Sequence, residues 1–309
     1  MIVISSTVPN IEAILVKSFQ KYAPEGSFCI LDSPEAELAT TAASWFPDLE
    51  KLRQLPELGL IHSIAAGVEH LNLNEIRADQ SVCRVLDPHH QKGMLDYLLW
   101  GVLYFQRYFD RMTQQQKQQL WKQYRQSYSH HIQIGIMGLG HMGGYAAKRF
   151  ADMGYQVSGW SNSPKDINQV KSYVGQEQLS EFLAQSQILI NLLPLTEENT
   201  GILSAELFQQ LPEQSALIHV GRGQHLIEQD LLDILDSGHL RGAIVDVFEQ
   251  EPLPADHPFW QHEKIVVTPH VASHAPMSVV VEQILENDRR LNQGLDLCHQ
   301  VDVNKGYKL

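Results

Sequence analysis

Short apolar runs alternate with amphipathic stretches along the first third of the chain. The runs MIVIS, FCIL, LGLIHSI and CRVL predict strands, because each is short and rich in β-branched or other apolar residues. The stretch IEAILVKSFQKY instead carries apolar residues every three or four positions, which is typical of a helix packed on a core. This alternation of strand and helix predicts a parallel sheet.

A long helical pattern follows, from about residue 93 to residue 128. It begins apolar (MLDYLLWGVLYF) and ends polar (TQQQKQQLWKQYRQ), and neither glycine nor proline interrupts it after Gly101. The pattern predicts one continuous helix. A rod that is apolar at one end suits a bridge between domains or an arm that contacts a second copy.

A second series of strands and helices begins at IQIGIM. Its later strands are expected at YQVSGW, QILINLL, SALIHV, GAIVDV and KIVVTP, and six strands with intervening helices predict one doubly wound nucleotide-binding domain. The last helix, MSVVVEQILENDRRLNQG, is expected to return the chain to the first domain. We therefore predict an α/β fold with two doubly wound parallel-sheet domains. The substrate domain would comprise residues 1–95 and 276–309, and the dinucleotide-binding domain residues 96–275.

Charge and cysteine content restrict the partners and the compartment. Lysine and arginine number 23 against 36 aspartates and glutamates, a net charge of -13 that disfavours binding to nucleic acid or to anionic membranes. Cys29, Cys83 and Cys298 are widely spaced and suggest no disulfide framework. With no basic leader at MIVISSTVPN and no long apolar segment, we expect a cytoplasmic protein.

Three glycines at the spacing G-x-G-x-x-G lie directly after the strand pattern IQIGIM and open a helix pattern. Gly138 would permit a tight turn, Gly140 a close approach to a pyrophosphate, and Gly143 close packing of helix on strand. The N–H groups at the start of the helix would face the anion. The segment predicts a dinucleotide site that also includes His141 and Met142.

The end of the next strand bears on the choice between NADP and NAD. An NAD site usually has an acidic residue there, about 20 residues after the glycines. Here the chain has Trp160, Ser161, Asn162 and Ser163, with Lys165 close behind and no acid before Asp166. A carboxylate would repel a 2′-phosphate, whereas hydroxyls, an amide and a lysine could bind one. We therefore favour NADP, with NAD as the alternative.

Polar residues follow three later strand patterns, where open α/β sheets keep their ligand crevice. They are Arg222 in HVGRGQHLIEQDLL, Asp246 and Glu251 in GAIVDVFEQEPLP, and His270 in VVTPHVA. An arginine can hold a carboxylate bidentately, a histidine can give or take a proton, and a neighbouring carboxylate fixes the tautomer of that histidine. The set predicts a site that binds a small acid and transfers a proton to or from it. No cysteine cluster is present, and we expect no metal site.

These residues, with the glycine loop and the blocks NLLPLTEENTGIL, VGRG, SGHLRGAIVDVFEQEPLP and TPHVA, resemble the D-isomer-specific 2-hydroxyacid dehydrogenase family over nearly the whole chain. WSNSPK, ILINLLPLT and EPLPADHPFWQHEKIVVTPHVA are most similar to its glyoxylate/hydroxypyruvate reductase A group. The resemblance implies a Rossmann-type cofactor domain inserted in a flavodoxin-like substrate domain, and a homodimer. It also implies reduction of a small 2-keto acid, such as glyoxylate or hydroxypyruvate, by NAD(P)H.

The resemblance further implies a role for each matching residue. Arg222 would bind the substrate carboxylate, His270 would be the acid/base, Glu251 would orient His270, and Asp246 would lie near the nicotinamide amide. The remaining expected contacts are Trp45, Ala66, Gly67 and Val68 for the substrate, and Leu193, Pro194, Val220 and Gly221 for the cofactor.

Three positions depart from the family pattern. Asp96 is a shorter carboxylate than the family's usual acid after Gly93-Met94. Gly221 stands where the block before the arginine usually has alanine, and Asn162 stands where the closer group has arginine. Two other functions stay open. A non-enzymatic nucleotide sensor resembling the corepressor relatives is disfavoured because Arg222, Glu251 and His270 are all present. Formate oxidation is disfavoured because relatives with that activity alter the acid partner of the histidine, whereas this chain has Glu251 followed by Pro252.

Overall fold

The structure is a computed structural model that describes residues 1–87 and 89–301, with the side chains of Pro9 and Glu69 left aside. The chain divides into two compact units. Unit 1 combines residues 1–90 with the segment from residue 274 onward, and unit 2 comprises residues 91–273.

The strands and α-helices of the described residues follow one another in regular alternation over much of the chain. The strands are β1 (Ile2–Ser6), β2 (Phe28–Ile30), β3 (Thr41–Trp45), β4 (Leu60–Ser63), β5 (Ser81–Cys83), β6 (Gln133–Met137), β7 (Gln156–Ser161), β8 (Val170–Val174), β9 (Ile188–Asn191), β10 (Ser215–His219), β11 (Leu240–Val245) and β12 (Ile265–Val267). The helices are α1 (Pro9–Tyr22), α2 (Leu49–Leu52), α3 (His90–Gln106), α4 (Phe109–Lys117), α5 (His141–Asp152), α6 (Leu179–Leu183), α7 (Ala205–Gln209), α8 (Glu228–Asp236) and α9 (Met277–Asn292).

Unit 1 is built on a five-stranded parallel sheet in the order β2-β1-β3-β4-β5, the flavodoxin-like order. Alternate residues of the interior strand β1 pack on opposite faces: Val3 lies with α2, whereas Ile2 and Ile4 lie with α1 and α9. The hydrophobic pattern of the sequence did not predict β3. Its residues TAASW are mostly small, yet Thr41 to Ser44 are all buried between the neighbouring strands.

Unit 2 is built on a seven-stranded parallel sheet in the order β12-β11-β10-β9-β6-β7-β8. Strands β6 to β11 follow the doubly wound dinucleotide-binding order in this sheet, and β12 adds one further strand at the edge beside β11. The fold class predicted from the sequence is confirmed, although unit 2 has seven strands instead of six. The additional strand is β8, an edge strand whose sequence VKSYV is too polar to read as a buried run.

The helical pattern at residues 93–128 is not one helix. Helix α3 ends at Gln106, Tyr108 takes a left-handed conformation (φ 61°), and residues 120–128 follow α4 without regular secondary structure. Arg241 on β11 accounts for the break. Its guanidinium donates to the Phe105 carbonyl at the end of α3 (2.9 Å) and pairs with Asp110 in the first turn of α4 (2.6 Å). A residue 136 positions from Phe105 thus ends a helix that the local sequence could continue.

Candidate active site

The residues with the predicted chemistry lie at the carboxyl ends of neighbouring strands of unit 2. Arg222 follows β10, Asp246 directly follows β11, and His270 follows β12. These strands pair in parallel, so their carboxyl ends share one edge of the sheet. The structure therefore collects at one edge an arginine, a histidine and two carboxylates that are far apart in sequence.

His270 and Glu251 form a hydrogen-bonded pair. The distance from His270 Nδ1 to Glu251 Oε2 is 2.8 Å, and Glu251 Oε1 accepts the backbone N–H of Phe248 at 3.0 Å. Burial alone would raise the pKa of Glu251, but the hydrogen bond to His270 and the charges of His270 and Arg222 outweigh it and lower that pKa. Glu251 is thus an ionised group fixed through both oxygens, and it holds His270 in one orientation.

Asp246 fixes the turn that carries His270. Its carboxylate accepts hydrogen bonds from the Thr268 hydroxyl (2.5 Å), Val271 N (2.9 Å) and Ala272 N (2.9 Å), and its own carbonyl accepts His270 N (2.8 Å). Within this turn His270 adopts a left-handed backbone conformation (φ 53°), which is uncommon for a residue with a side chain. Burial raises the pKa of Asp246 although these three donors favour the charged carboxylate.

Tyr97 and Thr268 extend this hydrogen-bonded group, and neither was predicted from the sequence. The Tyr97 hydroxyl on α3 lies 2.6 Å from Thr268 Oγ1, which in turn donates to Asp246. Burial raises the pKa of Tyr97, so its hydroxyl stays protonated. For Thr268 the available sequence signal was its position within TPHVA. For Tyr97 there was no signal, because it belongs to an apolar helical stretch.

Arg222 emerges from a short loop with several hydrogen bonds. Its Nη1 donates to the Gly221 carbonyl (2.7 Å), and its backbone N–H donates to Nδ1 of His225 (3.0 Å). His225 is fully buried and was not singled out from the sequence. Its place in the segment GRGQH, three residues after Arg222, was the available signal, because a side chain at that spacing can reach back to the backbone N–H.

The glycine segment between β6 and α5 has the shape of an anion-binding turn. Gly138 has φ 96°, and a Cβ there would lie 2.8 Å from the Leu192 carbonyl. A Cβ at Gly143 would lie 1.8 Å from the Gly138 carbonyl, so only glycine permits this packing of helix on loop. Around Gly140, by contrast, no heavy atom lies within 4 Å of the Cβ position. The open side of the turn fits a pyrophosphate at the start of α5.

The end of β7 carries polar groups and no acid. Ser161 donates from its hydroxyl to the Ser163 carbonyl (2.8 Å), and Lys165 N donates to Ser172 Oγ (3.2 Å), which ties this loop to β8. The side chains of Asn162 and Lys165 are exposed. The loop therefore presents an amide and an amine without a carboxylate.

The other residues expected at the cofactor also lie at this edge of unit 2. Leu193 and Pro194 follow β9, Val220 and Gly221 follow β10, Trp160 and Ser161 close β7, and His141 and Met142 begin α5. Contact of each with a cofactor stays a prediction. For Asp246 the structure adds a second role, because its carboxylate already holds the His270 turn.

In unit 1 the residues expected at the substrate occupy the ends of adjacent strands. Trp45 closes β3, and the segment Ala66-Gly67-Val68 follows β4. The Ser63 hydroxyl accepts the N–H of Ala65 (3.0 Å) and donates to the Gly67 carbonyl (2.7 Å), which fixes this segment. The Trp45 ring packs on His70, with ring centroids 4.1 Å apart. Their contact with substrate stays a prediction.

Over residues 1–87 and 89–301, no group of three or more histidine, cysteine, aspartate or glutamate side chains is placed to hold a metal ion. Within the same part of the chain, no helix has the length and apolar character required to span a membrane.

Comparison with known proteins extends these observations. The family model of the D-isomer-specific 2-hydroxyacid dehydrogenase NAD-binding domain matches residues 99–272. The glyoxylate/hydroxypyruvate reductase A of Photorhabdus laumondii subsp. laumondii is 39% identical over 275 residues, which cover 87% of this chain and 88% of that protein.

Solved structures agree with this similarity. A D-isomer-specific 2-hydroxyacid dehydrogenase family protein from Klebsiella pneumoniae 342 has a TM-score of 0.91 at 44% identity, with 98% of this chain and 97% of that chain covered. The NADPH-dependent glyoxylate/hydroxypyruvate reductase of Sinorhizobium meliloti, in complex with NADP and sulfate, has a TM-score of 0.87 at 30% identity, with 99% of each chain covered.

Proposed function

The chain belongs to the D-isomer-specific 2-hydroxyacid dehydrogenase family, and from that premise we propose that it reduces small 2-keto acids, such as glyoxylate and hydroxypyruvate, to 2-hydroxy acids with NADPH. The observation that carries this proposal is the His270–Glu251 pair, whose electrostatic environment includes Arg222, at the edge that also bears the glycine turn. This edge combines a proton donor, a carboxylate-binding cation and a nucleotide site.

The residues present fit a dinucleotide. The glycine turn offers open space at Gly140 and the N-terminus of α5 for the pyrophosphate. The loop after Trp160 would hold the adenosine ribose and its 2′-phosphate through Ser161, Asn162, Ser163 and Lys165. When bound, the nicotinamide supplies the hydride that reduces the keto carbon. The absence of an acid at the end of β7 supports NADP over NAD, as does the relative crystallised with NADP.

The protein's own groups would bind the substrate and supply the proton. Arg222 would hold the substrate carboxylate through its guanidinium. His270 would donate a proton to the developing alkoxide from Nε2, since Nδ1 faces Glu251. Glu251 would stabilise the imidazolium, and its lowered pKa keeps it ionised in neutral solution. In the reverse direction the same imidazole would accept the proton of the hydroxy acid.

We also propose that the protein is a homodimer. The family resemblance implies this assembly, and unit 2 exposes an apolar groove on α3 and α4 that a second copy would cover. The groove is lined by Leu99, Trp100, Leu103, Tyr104 and Phe109, of which Trp100 is 41% and Phe109 48% exposed. Light scattering at micromolar concentration tests the dimer. A cytoplasmic location is also proposed, supported by the three free cysteines.

The test of the proposed reaction is an assay of NADPH and NADH oxidation against glyoxylate, hydroxypyruvate and pyruvate. We expect oxidation of NADPH with at least one of these acids. The variant Arg222→Ala should raise KM and lower kcat, because it removes the group that binds the substrate carboxylate. Binding of NADPH without reduction of any of the three acids would favour a nucleotide sensor and would contradict the proposal.

A further inference from the structure

A buried polar cluster lies directly behind the Arg222 loop, and neither the proposed reaction nor the cofactor site accounts for it. Its members are Asn191 at the end of β9, His219 at the end of β10, and His225 in the loop, and all three are fully buried. The Asn191 amide nitrogen lies 3.2 Å from Nδ1 of His219 and 3.2 Å from Nδ1 of His225. Buried polar side chains are costly unless each is hydrogen-bonded, so this cluster calls for a function.

The hydrogen bonds define the state of each ring. Asn191 Oδ1 accepts the N–H of Leu193 (3.2 Å), which directs the amide nitrogen and its two protons toward the imidazoles. Burial lowers the pKa of His219 to about 3 and that of His225 to about 4, so both rings are neutral at pH 7. Both therefore accept at Nδ1 and carry their proton on Nε2.

His225 connects this cluster to the backbone of Arg222. Its Nδ1 accepts the Arg222 N–H (3.0 Å), and its own backbone N–H donates to the Arg222 carbonyl (3.0 Å). His225 thus forms hydrogen bonds with both the backbone N–H and the carbonyl of Arg222. A bond to the main chain beside the Cα of Arg222 determines the direction in which the guanidinium leaves the loop.

Gly221 provides the space that the cluster needs. A Cβ at this position would lie 2.8 Å from Asn191 Nδ2 and 2.9 Å from His225 Nδ1, closer than such atoms can approach. With glycine at this position, the amide of Asn191 and the imidazole of His225 occupy the volume that a side chain would need. The glycine and the buried cluster therefore form one structural unit.

We propose that His225 is a positioning residue for Arg222, held by Asn191 and His219 and admitted by Gly221. Nδ1 of His225 fixes the main chain of Arg222. The fixed main chain in turn positions the guanidinium, which would bind the carboxylate of a 2-keto acid. This inference rests on the proposed function for the substrate role of Arg222, but the hydrogen bond to the Arg222 main chain can be tested without activity.

The first test compares two substitutions of His225. In His225→Asn, Oδ1 takes the place of Nδ1 and preserves the acceptor, whereas His225→Leu keeps an apolar volume and removes it. We expect His225→Leu to raise KM for glyoxylate about 10- to 100-fold, the range for a buried donor deprived of its acceptor, with a smaller loss in kcat. His225→Asn should stay within about threefold of the wild type, as should the control Gln224→Leu, an exposed change in the same loop.

A double-mutant cycle shows whether His225 acts through Arg222. In the Arg222→Ala background, His225→Leu should change kcat/KM by less than about twofold, because the side chain that it positions is absent. NADPH affinity, measured by fluorescence, should be unchanged in all single variants at position 225. Additive losses in the cycle, or equal losses in the Leu and Asn variants, would overturn the proposal.

Backbone hydrogen exchange separates this proposal from the proposed reaction. The Arg222 amide should exchange at least about tenfold faster in His225→Leu than in the wild type and recover protection in His225→Asn. If the wild type reduces none of the keto acids but the exchange pattern holds, the proposed function fails and the positioning role on the loop stands. If the protein is active and the Arg222 amide exchanges equally in all variants, the positioning role fails.

Discussion

Nδ1 of His270 and Oε2 of Glu251 lie 2.8 Å apart, and the other oxygen of Glu251 is held by the backbone N–H of Phe248. The pair therefore has a fixed geometry set by the main chain of one loop. An imidazole whose Nδ1 is committed to a carboxylate presents one tautomer, with Nε2 available for proton transfer chemistry. The pair thus presents Nε2 of His270 in one orientation.

Replacing His270 tests the acid/base role. In His270→Ala we expect kcat for glyoxylate reduction to fall about 100- to 10,000-fold, because the proton donor is lost, while NADPH affinity changes little. Single-turnover kinetics with saturating NADPH measure the chemical step. The control is His130→Ala, an exposed histidine of unit 2, which should behave like the wild type. Near-normal turnover in His270→Ala would remove the histidine from the mechanism.

Neutralising Glu251 tests its electrostatic role. Glu251→Gln keeps the shape but removes the negative charge beside the imidazolium, so we expect kcat/KM to fall by at least about tenfold. Steady-state kinetics with glyoxylate measure this loss. An unchanged kcat/KM in Glu251→Gln would contradict the electrostatic role of Glu251.

The loop after β7 should control cofactor choice. Asn162→Asp places a carboxylate where the 2′-phosphate of NADP would bind, so KM for NADPH should rise by at least about tenfold while KM for NADH changes little. Initial-rate assays with each cofactor measure this ratio. Lys148→Ala is the control, because Lys148 pairs with Asp152 in the last part of α5. A parallel change in both KM values would mean that the loop does not contact the 2′-position.

Thr268 distinguishes the two roles of Asp246. Thr268→Val removes the hydroxyl that joins Tyr97 to Asp246, and we expect the loosened His270 turn to lower kcat by about tenfold. NADPH affinity should be nearly unchanged if Asp246 mainly holds the turn. A loss of NADPH affinity as large as the loss in kcat would instead support the nicotinamide contact expected from the sequence. Isothermal titration with NADPH, beside steady-state kinetics, gives both quantities.

His62 makes the stability of unit 1 depend on pH. The ring is fully buried, its Nδ1 donates to the Ser63 carbonyl (2.8 Å), and its Nε2 accepts the Asn287 amide (3.0 Å). Burial lowers its pKa from 6.5 to about 4. Between these values the unfolded chain binds more protons than the folded one. The contribution of the neutral His62 ring to the free energy of unfolding is therefore complete above pH 6.5. About 3 kcal/mol of that free energy is lost on acidification to pH 4.

Denaturant unfolding at several pH values tests this dependence. His62→Leu has no proton to take up, so its stability deficit relative to the wild type should narrow as the pH falls from 6.5 to 4. An exposed substitution, His130→Leu, should keep a constant difference over the same range. A constant deficit for His62→Leu would show that His62 is not held neutral in the folded chain.

Much of the fold could be predicted from the sequence because β6, β9, β10 and β11 are buried apolar runs with clear boundaries. The strand β3 was missed since its small residues are buried by neighbours that the local sequence does not specify. The end of α3 was missed for a similar reason, because the guanidinium of Arg241 that ends it comes from β11. Both errors concern tertiary contacts that override local preference.

The candidate site likewise has residues that the sequence predicts and residues that only tertiary contacts reveal. Arg222, Glu251 and His270 could be identified because each follows a recognisable strand and has a side chain with distinctive chemistry. The groups that hold them could not, since Asn191 and Tyr97 lie on other elements and act through hydrogen bonds that only the folded chain forms. The departure at Gly221 was visible in the sequence, but its contact with Asn191 and His225 was not.

The left-handed backbone of His270 carries a thermodynamic cost. A residue with a β-carbon at φ 53° is disfavoured by about 1 kcal/mol relative to glycine, which the Asp246 carboxylate must offset through the N–H groups that follow. At this position stability and the proposed proton transfer oppose each other: glycine would relax the main chain but would remove the imidazole. The enzyme retains a locally unfavourable conformation because that conformation aims the imidazole.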